Sequence, residues 1–177
     1  DRLVESWRLA TLRERTSDEL GVIDDALFAR SVIDRSRIDA VVLSHAHIDH
    51  SGALPALVKN GFRGPIHATP ATADLPTVML RDSAHIQEKD AEYLNRRDGL
   101  TGIHAKKPLY TEADADNASR RFTTHRIGEP FAVTDGVAGT FLEAGHILGA
   151  SMVVLDTQEG GNRRRIVFSG DLGRDCL

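Results

Sequence analysis

Residues 38–50 read Ile38-Asp39-Ala40-Val41-Val42-Leu43-Ser44-His45-Ala46-His47-Ile48-Asp49-His50. The first seven are mostly apolar and rich in β-branched side chains, which predicts a short buried strand over 38–44. That strand runs straight into a cluster of side chains able to ligate a metal: His45, His47, Asp49 and His50. In extended backbone, alternate residues project the same way, so His45 and His47 can grip one ion. A turn into a helix starting near Ser51 swings Asp49 and His50 towards a second position. Imidazole and carboxylate donors suit zinc, and also manganese or iron. The competing reading is a polar loop of exposed histidines. It does not account for this spacing directly behind a Val-Val-Leu strand.

Two later stretches gain meaning beside the first. Glu143-Ala144-Gly145-His146-Ile147-Leu148-Gly149-Ala150-Ser151 is a strand ending in a glycine, one histidine and a turn. Phe168-Ser169-Gly170-Asp171-Leu172-Gly173-Arg174 is a strand ending in a small residue and a carboxylate. Alone, a single His is usually an ordinary polar contact and Gly-Asp is usually a turn. With the first cluster, His146 supplies a third imidazole for one metal, and the two oxygens of Asp171 can bridge two ions.

Further elements are predicted around these motifs. Leu20, Ile23, Leu27 and Phe28 have helical spacing within Asp18 to Ile33. A short helix is expected over Ala53 to Asn60, ended by Gly61, then a strand at Ile66-His67-Ala68. Thr69-Pro70 reads as N-cap and first helical residue. That helix runs to about Arg97 with Leu75, Met79, Ile86 and Tyr93 on one face, and Pro76 should kink or split it. A loop over 98–108 precedes a helix over Thr111 to Arg121, whose Thr111-Glu112-Ala113-Asp114 has the cap-plus-acid pattern of a helix start. A hairpin turns at Asp135-Gly136 between Phe131–Thr134 and Val137–Ala144. A second strand pair, Met152–Thr157 and Arg165–Ser169, closes across Gly160-Gly161-Asn162. Strands at both ends with helices between them give an α/β fold, with sheets covered by helices.

Composition narrows the class. The 177 residues suit one domain, and 41% hydrophobic with 27% charged residues is globular usage, against disorder. Cys176 is the one cysteine, so neither an internal disulfide nor a Cys-based zinc site is available. No apolar run approaches the ~18 residues of a membrane span, and no signal-peptide core is visible. The expectation is a cytoplasmic protein with no membrane partner. The net charge of −4 does not announce a nucleic-acid binder. Arg163-Arg164-Arg165 and Arg120-Arg121 are candidates to touch phosphate, more simply read as a solvated hairpin turn and a helix end. His67, His85, His104 and His125 stand alone and are expected to have no catalytic role. Asp82, His85, Glu88 and Lys89 are expected to pair with one another on one helix.

The motifs resemble the metallo-β-lactamase superfamily, through the His-x-His-x-Asp-His run, the later Gly-His and the Gly-Asp. Within it, His50-Ser51-Gly52-Ala53-Leu54-Pro55, Ala144 to Ala150, Phe168 to Arg174 and Pro108-Leu109-Tyr110-Thr111-Glu112 are similar to the beta-CASP ribonucleases, the group of ribonuclease J and the mRNA 3′-end processing nuclease. The resemblance spans roughly Ile38 to Arg174. It implies a four-layered αββα sandwich and a two-zinc hydrolase of phosphodiester bonds, with RNA as substrate. It also implies that His45, His47 and His146 hold one zinc, Asp49 and His50 the second, and that Asp171 bridges them. The catalytic roles fall to Asp49 and Asp171. The alternatives are a superfamily hydrolase of a small ester, thioester or lactam, and a non-catalytic member. The family's first motif, an Asp on an earlier strand, has no match upstream of Ile38. Residues 1–177 are therefore expected to be a partial metallo-β-lactamase domain. The opening strands and the beta-CASP domain, with one further His for the second zinc, would lie outside it.

Overall fold

The computed structural model describes residues 38–159 and 161–174, and in it two sheets share one interior. The helix expected over 18–33 and Cys176 lie outside the described residues. The first sheet is parallel, with strands β1 (Val41–Val42), β2 (Ile66–Ala68) and β3 (Phe122–Thr124) in the order β1-β2-β3. The second is an antiparallel meander of β4 (Pro130–Thr134), β5 (Val137–Glu143), β6 (Ser151–Glu159) and β7 (Asn162–Phe168). The helices are α1 (Ile48–Ser51), α2 (Leu54–Lys59), α3 (Pro70–Asp98) and α4 (Glu112–Ser119).

Strand alternation sorts the side chains into layers. Ile66, Ala68 and Leu43 face the helices and form one core with Leu54, Val58, Phe62, Ala73 and Ala118. Val42 points the other way and packs against Phe131, Phe141, Val153 and Leu155 of the second sheet. The described residues thus form a helical layer, a parallel sheet and an antiparallel sheet. The outer face of the antiparallel sheet carries Leu142 and Val167, both exposed. The protein is mixed α/β, as expected.

Several elements fall where the sequence places them. Strand β2 matches residue for residue, and the hairpin turns at Asp135-Gly136 with Gly136 at φ 73°. Thr69 caps α3, its hydroxyl accepting from the Thr72 amide at 3.3 Å. Helix α4 opens with a reciprocal box: Thr111 accepts from the Asp114 amide, and the Asp114 carboxylate accepts from the Thr111 amide at 2.9 Å.

Others need correction. Strand β1 is only two residues, although its hydrogen bonding continues where Leu43 N–H donates to the His67 carbonyl at 2.8 Å. Strand β3 has no counterpart among the expected elements, since Phe122-Thr123-Thr124 is too short to show a pattern. Helix α3 is not split at Pro76, whose fully buried ring compensates in packing for the missing amide. The buried face of α3 is Thr72, Ala73, Pro76, Leu80, Ala84 and Ala91, whereas Leu75, Ile86 and Tyr93 are exposed. Small side chains let α3 approach its neighbours closely, and the large ones turn outward. His85 pairs with Glu112 of α4 at 3.0 Å, and Lys89 with Glu92, rather than both within the expected cluster.

Candidate metal centre

A parallel sheet delivers its loops to one edge, and the chain leaves β1 there to enter the His45-to-His50 turn. The chain bends at Ser44, His47 leads into the helix with φ −51° and ψ 145°, and α1 begins at Ile48, three residues before the expected start. The Ser51 hydroxyl locks this turn by donating to the Ala46 carbonyl at 2.8 Å and lying 3.0 Å from the His47 carbonyl. His146 follows β5 and Asp171 follows β7, so the antiparallel sheet presents its residues to the same place.

One donor atom each from His45, His47, His146 and Asp171 lies within 4.8 Å of the others. His146 Nε2 is 3.1 Å from His47 Nδ1, and the Asp171 Oδ2 oxygen is 3.6 Å from His45 Nε2 and 3.5 Å from His146 Nε2. A tetrahedral ion with bonds of ~2.1 Å holds its donors about 3.4 Å apart, so this spacing matches one ion. The other oxygen, Asp171 Oδ1, is 3.5 Å from His50 Nε2, which is in turn 3.6 Å from Asp49 Oδ2. His50 therefore adjoins the four-donor group at Asp171 and against the His45 ring, with centroids 4.1 Å apart, and Asp49 lies beyond His50.

His45 tests whether these residues suit a metal. Its ring is 1% exposed, and its Nε2 is buried without a hydrogen-bond partner among the described residues. Its Nδ1 is 3.1 Å from the Ser44 hydroxyl. With Nδ1 protonated towards Ser44, the Nε2 lone pair points into the cluster, as in a ligating histidine whose other nitrogen is held by a hydrogen bond. Burial, and then the neighbouring His50, lower the His45 pKa to about 4, which keeps this imidazole neutral. An orphaned, neutral, buried donor facing a carboxylate oxygen fits a cation and is costly without one.

The loops are fixed by contacts that carry no local sequence signal. Thr69 and Thr72 hydroxyls both donate to the Gly149 carbonyl, at 2.7 and 2.8 Å, tying the start of α3 to the His146 loop. Ser151 Oγ donates to the Ser44 carbonyl at 3.0 Å. Gly173 N–H donates to the Ala144 carbonyl at 2.9 Å, joining the Asp171 and His146 loops backbone to backbone. Of the isolated histidines, His67 and His125 pair with each other at 2.8 Å between the sheets.

The chain is similar to known proteins. The family model described as the metallo-beta-lactamase superfamily matches residues 15–176. Transcription termination factor FttA of Thermococcus kodakarensis is 35% identical over 148 residues, covering 83% of this chain and 20% of that protein. A ribonuclease of Thermus thermophilus is 32% identical over 140 residues, covering 79% of this chain and 27% of that protein. The chain thus spans about a fifth to a quarter of the length of these relatives. Among solved structures, native FEZ-1 metallo-beta-lactamase from Legionella gormanii superposes with a TM-score of 0.49 at 14% identity, covering 85% of this chain and 49% of that one.

Proposed function

The chain belongs to the metallo-beta-lactamase superfamily, a metal-dependent group, and from that premise we propose that it builds the two-zinc centre of a beta-CASP-type nuclease that cleaves phosphodiester bonds in RNA. His45, His47 and His146 would hold one zinc, Asp49 and His50 the second, and Asp171 would bridge them. The observation that carries this reading is the division of Asp171: one carboxylate oxygen faces His45 and His146, the other faces His50.

Two divalent ions in such a site supply a nucleophile near neutral pH and neutralise charge on a phosphate. The chain's own residues supply the frame. Burial keeps His45 neutral and its Nε2 free to donate. Asp171 brings negative charge to both positions at once while remaining partly open to solvent, so substrate can approach. The Thr69 and Thr72 hydroxyls hold the His146 loop against the start of α3, and the Ser151 hydroxyl holds it against Ser44 beside the His45 turn. The relatives named for RNA cleavage and transcription termination favour RNA over a small ester or lactam. Cleavage is proposed for a protein of those relatives' length, in which a beta-CASP domain clamps the strand.

The test is a pair of substrates. The metal-loaded full-length protein should cleave a labelled single-stranded RNA and leave a β-lactam intact, and Asp171→Asn should abolish cleavage with the circular dichroism spectrum kept. Lactam hydrolysis without RNA cleavage would overturn the assignment.

A further inference from the structure

A cleft of about 500 Å³ lies between the C-terminal ends of α2 and α4, lined by Lys59, Arg63, Arg120 and Arg121, with Asp114 and Asn117. Its place in the fold is defined by topology. In the parallel sheet, His45 and His47 leave the C-terminal end of β1, whereas Arg63 precedes β2 and Arg121 precedes β3. The cleft is therefore at the opposite edge of that sheet from the metal centre.

The charge of this cleft stands out in a chain whose net charge is −4. Four cations converge on it, and the one carboxylate among them is already engaged. Asp114 Oδ2 accepts from the Thr111 amide and hydroxyl, both at 2.9 Å, and Lys59 Nζ is 3.9 Å away. Arg63 is anchored through one nitrogen to the Val58 and Phe62 carbonyls, at 3.2 and 3.1 Å. Arg121 is anchored through one nitrogen to the Arg63 carbonyl, and its Nε is buried without a partner among the described residues. The Arg120 side chain has no partner among the described residues. Each guanidinium has five N–H donors, so Arg63 and Arg121 are held with donors unspent and Arg120 keeps all of its own.

Cations at helix ends offset the helix dipole, which accounts for Lys59 and Arg120. It does not account for gathering Arg63 and Arg121 beside them, because like charges at short range repel. An anion reverses that cost. We propose that this cleft is a phosphate-binding subsite for the backbone of a bound RNA strand, remote from the metal centre. The proposal rests on the RNA reading of that centre.

The experiment measures binding of a long phosphorothioate RNA, which keeps its charge and resists hydrolysis, to the full-length protein across a salt series. Arg120→Glu should weaken binding about three- to tenfold at low salt and reduce the salt slope by about 0.7 for each phosphate no longer neutralised; Arg120→Lys should keep the slope. Unchanged affinity and slope in Arg120→Glu would overturn the proposal. Inorganic phosphate that stabilises wild type against heat but not Arg120→Glu, with RNA binding unaffected, would also overturn it, by making the ligand a free anion. Cleavage of an unmodified single-stranded RNA at saturating concentration by wild type reports on the metal centre separately, so its absence would sink the nuclease reading and leave the cleft to be judged by the salt slopes.

Discussion

The Thr72 hydroxyl donates to the Gly149 carbonyl at 2.8 Å, across 77 positions of sequence and from a side chain with no exposed surface. Thr69 donates to the same oxygen at 2.7 Å, so both lone pairs of that carbonyl are used. His146 sits three residues earlier, and the contact transmits the position of α3 to it. Thr72→Val keeps the shape and removes one donor. We expect a loss of about 1 kcal/mol in stability, and a fall in metal affinity smaller than the roughly 10–100-fold seen when a direct hydrogen-bond partner of a ligand is removed, because Thr72 holds the loop and not the His146 ring. Thr72→Ser should restore both. Thermal unfolding and competition with a chelator measure the two effects, and a variant with unchanged metal affinity would separate the clamp from the site.

Gly173 and Gly145 make the two ligand-bearing loops touch. A Cβ added to Gly173 would fall on the Gly145 carbonyl, and one added to Gly145, at φ 65°, would fall on the Arg174 carbonyl. Gly173→Ala must push the Asp171 loop away from the His146 loop. The expected cost is about 1–3 kcal/mol, as for other overpacked sites, together with weakened metal binding. Gly161→Ala is the control: φ is 82° but open space surrounds it, so it should cost stability and leave metal affinity alone.

Metal content is the most direct measurement on the centre. Elemental analysis of the full-length protein should find close to two zinc ions per chain, and His146→Ala or His45→Ala should remove one. Asp171→Asn should reduce turnover by more than the roughly 10–100-fold that loss of a ligand's supporting hydrogen-bond partner costs, because Asp171 itself faces both ligand sets. Active wild-type protein free of transition metal would contradict the whole scheme.

The sequence was most legible where one local rule acts alone. The Thr69-Pro70 start of α3, the Thr111–Asp114 box and the Asp135-Gly136 turn are each decided within four residues, and each occurs as read. The ligand candidates were legible because unusual chemistry stands at three strand ends. What failed depended on partners distant in sequence. The buried face of α3 is chosen by segments distant in sequence that pack on it, as Ala84 packs with Ala56 and Tyr110, so Ala84 and Ala91 are inside while Ile86 and Tyr93 are out. His85 found Glu112 on another helix rather than its neighbours. The Thr72–Gly149 contact and the Gly145–Gly173 approach join segments that no periodicity connects.

Acid sensitivity should arise between the sheets as well as at the metal centre. His67, 4% exposed, places its Nδ1 at 2.8 Å from His125 Nε2, and the His125 ring stacks on Phe131 at 3.8 Å. Burial lowers the pKa of both rings, and the neighbouring His125 lowers that of His67 further. A histidine whose pKa is depressed by folding binds protons more readily when unfolded. Stability from this pair is therefore complete above the ordinary histidine pKa of about 6.5, and it is lost as pH falls from there towards the folded values. Urea unfolding of the metal-free protein at a series of pH values should show the midpoint falling below about pH 6.5. Replacing the pair, as His67→Leu with His125→Phe, should flatten that fall relative to wild type while leaving the near-neutral plateau cooperative. His45, whose pKa is also lowered, contributes equally to both proteins and drops out of the comparison. Parallel curves for the two proteins would show that the His67–His125 pair does not set the acid response.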